Sequence, residues 1–230
     1  MDQPVPTNPN KPTDSNDADW LPNLAGRFLV FDGPDGSGKT TQLHRFARIC
    51  KGAGLTVEEV REPGGTHIGE VIRDLLLEHG PEDIRPVCEM LLYMASRAQL
   101  VSQKIRPAMQ AGTLVLADRF ISSTLAYQGT AGGVAREAIL ATGRIACEEC
   151  WPDLTIIFDV DEHVANRRLS PLLDRMEAKG AAFHRRVREG YLEQAREDPA
   201  GTLIVDASGD EDTVHQRLLA GLRDRLCART

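Results

Sequence analysis

Gly33, Gly38, Lys39 and Thr40 fall at the spacing G-x-x-x-x-G-K-[ST] inside Phe28-Leu-Val-Phe-Asp-Gly-Pro-Asp-Gly-Ser-Gly-Lys-Thr-Thr-Gln42. That spacing is phosphate chemistry. Glycines let successive backbone N–H groups converge on one concavity, and the helix that follows adds positive potential at its N-terminus. Lys39 has the reach for the outer phosphates of a nucleotide, and the Thr40 hydroxyl is a hard oxygen donor for Mg²⁺. The nucleotide-binding candidates are therefore Gly33, Pro34, Asp35, Gly36, Ser37, Gly38, Lys39, Thr40 and Thr41.

A carboxylate is needed near such a cradle to complete a metal site. Asp118 closes the apolar run Leu114-Val-Leu-Ala and is followed at once by Arg119, which sets a metal ligand beside a phosphate ligand. Asp32 and Asp159 also end apolar runs and compete for the role, as does the alternative that each merely caps the next helix. Arginine suits bidentate phosphate contact, and Arg61, Arg73, Arg97, Arg119, Arg167, Arg168 and Arg175 fall on or near the expected ligand edge. Arg61 and Arg119 stand out because each sits at a strand end.

These residues need a frame. Strands are expected at 27–32, 56–60, 113–118, 154–159 and 202–206. Helices are expected at 39–52, 67–78, 82–110 (with Pro86 and Pro107 as breaks), 134–149, 161–169, 176–197 and 211–227. Apolar strands alternating with helices imply right-handed βαβ crossovers and a five-stranded parallel sheet covered on both faces. Ligands of such α/β sheets lie beyond the carboxyl ends of the strands. The informative loops accordingly begin at Asp32, Arg61, Asp118, Asp159 and Asp206.

At 230 residues the chain suits one domain. Residues 1–24, rich in Pro, Asn and Asp, read as a disordered tail unless Trp20 and Leu21 dock, with the domain over 25–230. A formal charge of −7 argues against broad attraction to nucleic acid, and no apolar run approaches the roughly 20 residues of a membrane span. Five scattered cysteines and the lack of a secretion pattern suggest a reducing cytoplasm. Cys147-Glu-Glu-Cys150 is a lone C-x-x-C, more simply two thiols one helical turn apart than a zinc or redox site. No Asn-Lys-x-Asp is present, so a small-molecule phosphotransferase fits better than a guanine-nucleotide switch.

Several motifs in order resemble the bacterial thymidylate kinases: Asp35-Gly-Ser-Gly-Lys-Thr-Thr41, Arg61-Glu-Pro-Gly-Gly-Thr66, Asp118-Arg119-Phe120 with Ser123-Thr124 and Ala126-Tyr127-Gln128-Gly129, and Leu173-Asp-Arg-Met-Glu177. The resemblance spans about 26–227. It implies a three-layer P-loop kinase fold with a mobile lid at about 167–177, and ATP- and Mg²⁺-dependent phosphorylation of dTMP to dTDP by a homodimer. It also implies roles. Asp35 would position the acceptor 3′-hydroxyl, Arg73 and Arg119 the dTMP phosphate, and Tyr93 and Arg97 the base by stacking and by its edge. Thr124 and Gln128 would face thymine N3, Tyr127 would exclude a ribose 2′-hydroxyl, and Pro63 would shape the pocket. Gly36 stands where one branch of the family carries arginine, so the catalytic guanidinium is expected from the lid, Arg168 ahead of Arg175. A related deoxynucleoside or nucleoside monophosphate kinase, or a weakly catalytic nucleotide-binding module, are the alternatives.

Overall fold

The computed structural model describes residues 19–78, 80, 83–148, 150–168 and 174–227. Five parallel strands, β1 (Phe28–Asp32), β2 (Val57–Arg61), β3 (Leu114–Asp118), β4 (Leu154–Asp159) and β5 (Thr202–Asp206), form one sheet in the order β2-β3-β1-β4-β5. The strand order reverses at β1, whose five residues are all buried. A ligand crevice is expected at the carboxyl end of this strand.

Strand periodicity distributes the core. Leu29 and Phe31 face the layer formed by α1 (Lys39–Gly52) and α9 (Glu211–Cys227), joining Leu43, Phe46 and Leu218. Phe28 and Val30 face the other way, joining Met90, Met94, Phe120 and Ile139 from the layer that includes α3 (Pro86–Leu100) and α6 (Arg136–Cys147). The sheet is thus the middle of three layers, as its largely apolar central strands require. The remaining helices are α2 (His67–Leu77), α4 (Arg106–Gln110), α5 (Ile121–Thr124), α7 (Glu162–Arg168) and α8 (Ala181–Glu197).

Three expectations change. Trp20 and Leu21 do dock: a short 3₁₀ turn over Leu21–Leu24 is packed into the core, and the Trp20 ring stacks on Phe46. The packed body therefore includes residues 20–24, which composition had assigned to the tail; residues 1–18 lie outside the described residues. The long helix begins at Pro86 and is not broken by Pro107, because a π-helical turn over Val101–Ile105 joins α3 to α4 where proline cannot donate to an α ladder. The charged helix expected from 176 begins at Ala181, since Gly180 at φ 85° interrupts it. Beyond Arg119 and Phe120, where no element was expected, the chain is helical, α5 running into a π-helical stretch over Leu125–Ala131.

Candidate active site

The loop between β1 and α1 is built by close approach. A Cβ on Gly33 would stand 2.6 Å from the Phe158 carbonyl oxygen of β4, and one on Gly36 would collide with the Ala165 carbonyl of α7. With φ of 139° and 73°, both positions suit only glycine. Gly36 therefore has no room for the arginine of the other family branch, because α7 lies directly on it. Gly38, at φ 82°, precedes α1 without any side-chain cap, which leaves the first-turn N–H groups of the helix for an anion. Ser37 supplies a further sign: its buried hydroxyl makes no hydrogen bond among the described residues, and a phosphate oxygen would satisfy it. Gly33 and Pro34 are buried and shape the turn without lining a cavity.

Two cavities open on this loop. The first, about 410 Å³, lies beneath the ends of β2 and β3 and is lined by Asp35, Pro63, Arg73, Tyr93, Asp118, Arg119, Thr124, Tyr127 and Gln128, with Arg61, Glu62 and Glu177 beside them. The second, about 620 Å³, runs over Ser37, Gly38, Thr41 and Gln42 to Arg168 and the loop at Gly209–Glu211. Gly36, Lys39 and Thr40 line both.

Asp35 and Arg119 are paired at the floor of the first cavity, where Tyr127 Oη also donates to Asp35 at 2.6 Å and Lys39 Nζ stands 4.0 Å away. Burial opposes ionisation of Asp35, but Arg119, Lys39 and the Tyr127 hydrogen bond outweigh it and hold the carboxyl below its ordinary range. Burial, then the neighbouring Arg119, lowers the Lys39 ammonium. Arg119 adopts φ 72°, a left-handed conformation that a non-glycine residue keeps only when its surroundings enforce it. Here they do: its Nη1 donates to Ser123 Oγ at 3.0 Å and to Tyr191 Oη at 3.2 Å, and its guanidinium lies over the Tyr127 ring.

The carboxylates separate cleanly. Asp32 is fully buried and accepts from Gly33 N, Ser122 Oγ, Ser123 Oγ and Tyr191 Oη at 2.5–2.9 Å, so its oxygens hold the loops together and it lines neither cavity. Asp159 is engaged bidentately by Arg188 of α8. Asp118 alone faces the cradle, with Thr40 Oγ1 donating to its Oδ2 at 2.5 Å.

Other candidates sit where the sequence did not put them. Arg97 does not line the cavity: it is fully buried behind it, donating from Nε and Nη2 to Glu62 and from Nη2 to Thr124 Oγ1 at 3.2 Å, and so braces two residues that do. Arg175, expected second after Arg168 as the catalytic guanidinium, lines neither cavity. Its Nε donates to the Leu76 carbonyl and its Nη1 to Glu89, directions that leave it outside both cavities. Arg168 does line the second cavity, bonded to the carbonyls of Ala207 and Gly209. Of the expected lid, residues 169–173 lie outside the described residues. The Glu62–Pro63 peptide is cis, and Arg73 Nη1 donates to the Pro63 carbonyl at 3.0 Å.

Tyr191, Ser122, Ser123, Glu62 and Glu89 escaped the sequence reading. Ser123 and Glu62 lie inside the family motifs as unassigned polar positions, a usable signal, and Ser122 adjoins one. Tyr191 sits on a charged helix 159 positions from Asp32, with no local pattern to mark it.

The thymidylate kinase family model matches residues 31–218. Relatives of the same description include the thymidylate kinase of Pelobacter propionicus, 42% identical over 210 residues (87% of this chain, 96% of the relative). That of Thermomicrobium roseum is 44% identical over 184 residues (79% and 87%). Among solved structures, the thymidylate kinase from Ehrlichia chaffeensis superposes with a TM-score of 0.72 at 30% identity, covering 86% of this chain and 99% of that one. Phosphate loop, parallel sheet and sequence agree: the chain belongs to the thymidylate kinase family.

Proposed function

We propose that the two cavities hold the donor and acceptor nucleotides of one reaction, the in-line transfer of the ATP γ-phosphoryl group to a phosphate oxygen of dTMP, giving dTDP for dTTP synthesis. The observation that carries this is the wall shared by the cavities: Gly36, Lys39 and Thr40 belong to both, so phosphates entering from either side meet there. The transferred group leaves the β,γ-bridging oxygen of ATP and forms its new bond to an oxygen that is already anionic. No strong general base is required, and positioning and charge stabilisation dominate.

Each side chain then has a task. Lys39 and the α1 N-terminus bind the ATP phosphates, and Ser37 supplies the hydroxyl left unpartnered. Arg119 and Arg73 hold the dTMP phosphate. Asp35, kept ionised, accepts from the 3′-hydroxyl. Tyr93 stacks on thymine, Thr124 and Gln128 face its N3 edge, and Tyr127 fills the space a ribose 2′-hydroxyl would need. Arg168 serves the ATP side.

The donor set fits Mg²⁺. A threonine hydroxyl and one carboxylate, 2.5 Å apart at the phosphate cradle, are the hard oxygen ligands this ion takes when most of its remaining shell is phosphate and water. Bound by Thr40 and Asp118, it supplies charge neutralisation to the phosphates.

A homodimer and a cytoplasmic setting complete the proposal. Ile68, Val71 and Leu75 on α2 and Val87 and Leu91 on α3 are each more than half exposed, an apolar surface suited to a second copy. Among the described residues no helix is long and apolar enough to cross a membrane, and Cys50, Cys88, Cys147 and Cys150 are free thiols, as a reducing compartment favours. The test of the reaction is a coupled assay with ATP and dTMP, in which dTDP and ADP form in equal amounts. Lys39→Ala lowers kcat by about 10²-fold or more with the thermal midpoint preserved. ADP release without dTDP speaks against the reading.

A further inference from the structure

Glu89 on α3 is fully buried and belongs to neither cavity wall, yet its carboxylate gathers three donors. Arg175 Nη1 and Lys179 Nζ both lie 2.7 Å from Oε1, and Gln128 Nε2 lies 3.0 Å from Oε2. Burying a carboxylate costs several kcal/mol unless such partners compensate. Burial pulls its pKa up, but Lys179, Gln128 and Arg175 outweigh that and hold the group below its ordinary range. Glu89 is therefore an acceptor only.

That has a consequence for Gln128, which is itself buried and lines the acceptor cavity. A carboxamide has a donor end and an acceptor end. Against an acceptor-only partner it must turn its nitrogen, which leaves Oε1 as the end available to a ligand, and no described residue engages that oxygen. Thymine carries an N–H at ring position 3, whereas cytosine carries a lone pair there. An Oε1 fixed toward the base hydrogen-bonds the first and opposes the second.

We propose that Glu89 is a specificity-determining positioning residue: by accepting from Gln128 Nε2 it locks the Gln128 carboxamide with Oε1 toward the acceptor base, so that the site takes an N3–H base and rejects cytosine. The inference rests on the reading above that the first cavity holds the acceptor base. Arg175, inside the expected lid, and Lys179, just beyond it, keep the lock charged. This gives Arg175 a role other than phosphoryl transfer.

The experiment measures kcat and KM for dTMP and dCMP, and KM for ATP, in the unaltered enzyme and in Glu89→Gln, Glu89→Asp and Gln128→Leu. Glu89→Gln offers a donor as well as an acceptor, which frees Gln128 to turn. Glu89→Asp retains the charge that Arg175 and Lys179 require but withdraws the carboxylate from Gln128, and so remains informative where the neutral variant does not fold. The expected result is a dTMP-to-dCMP ratio of kcat/KM reduced by at least about tenfold in a folded Glu89 variant. The change is carried by KM of the acceptor, with ATP KM within about twofold. A ratio unchanged in a folded Glu89 variant but relaxed in Gln128→Leu overturns the lock while leaving the acceptor-site reading intact. A ratio unchanged in Gln128→Leu as well overturns both.

Discussion

Tyr127 Oη donates to Asp35 Oδ2 across 2.6 Å and so ties the π-helical segment after β3 to the phosphate loop. The same Asp35 pairs with Arg119 and lies 4.0 Å from Lys39, so the group proposed to reject ribose shares a carboxylate with the groups proposed to handle phosphate. Selectivity and charge stabilisation are therefore separable only by choice of substitution. Tyr127→Ala removes bulk and bond together and is expected to raise kcat/KM for UMP by about tenfold or more. Tyr127→Phe keeps the ring and is expected to preserve the dTMP-to-UMP ratio while lowering kcat/KM for dTMP by roughly tenfold, the worth of one charge-assisted hydrogen bond. Steady-state kinetics with the two acceptors checks both.

Arg168 and Arg175 are expected to part company. Arg168 lines the cavity over the phosphate loop, whereas Arg175 is spent on Leu76 and Glu89. Arg168→Ala should raise KM for ATP or lower kcat by at least about tenfold, and Arg175→Ala should act on dTMP KM and thermal stability with kcat within a few-fold. If kcat survives in Arg168→Ala and disappears in Arg175→Ala, the assignment is reversed.

His215 on α9 supplies a pH dependence. Its Nδ1 lies 2.8 Å from Gln42 Oε1, and Gln42 Nε2 donates to the Glu211 carbonyl, which fastens α1 to the N-terminus of α9 at the wall of the second cavity. Burial, then Arg45, lowers the His215 pKa to about 4 from 6.5. Between those values the unfolded chain binds a proton that the folded chain refuses. This contribution is complete above about pH 6.5 and is lost as pH falls toward 4, on the order of 3 kcal/mol in all. Thermal midpoints should fall over that window, and His215→Gln, which can still bond Gln42 but does not titrate, should flatten the fall. An unchanged slope in the variant assigns the acid sensitivity elsewhere.

Much of this architecture is legible in the chain because local signals and tertiary demands coincide. The glycines at 33, 36 and 38, the apolar strands that end in Asp32, Asp118 and Asp159, and the helical spacing after Lys39 each state one structural requirement. What strand-end placement cannot say is which aspartate remains free. Asp32, Asp118 and Asp159 look alike in sequence, and only the long-range partners Tyr191 and Arg188 divide two that are occupied from one that faces Thr40. Arg97 and Arg175 stand off the cavity walls for the same reason: a guanidinium near the ligand edge is drawn to whichever carboxylate the fold brings close, here Glu62 and Glu89. Trp20 illustrates the reverse case, one aromatic ring in a polar segment finding Phe46.

The central claim is that the first cavity is a dTMP site facing ATP across Lys39. It is tested most directly by one acceptor panel: initial rates of ADP formation with ATP and, in turn, dTMP, dUMP, dCMP, dGMP and UMP. The expected result is the highest kcat/KM for dTMP, with dCMP, dGMP and UMP lower by about 10²-fold or more. Comparable turnover of UMP and dTMP would contradict it.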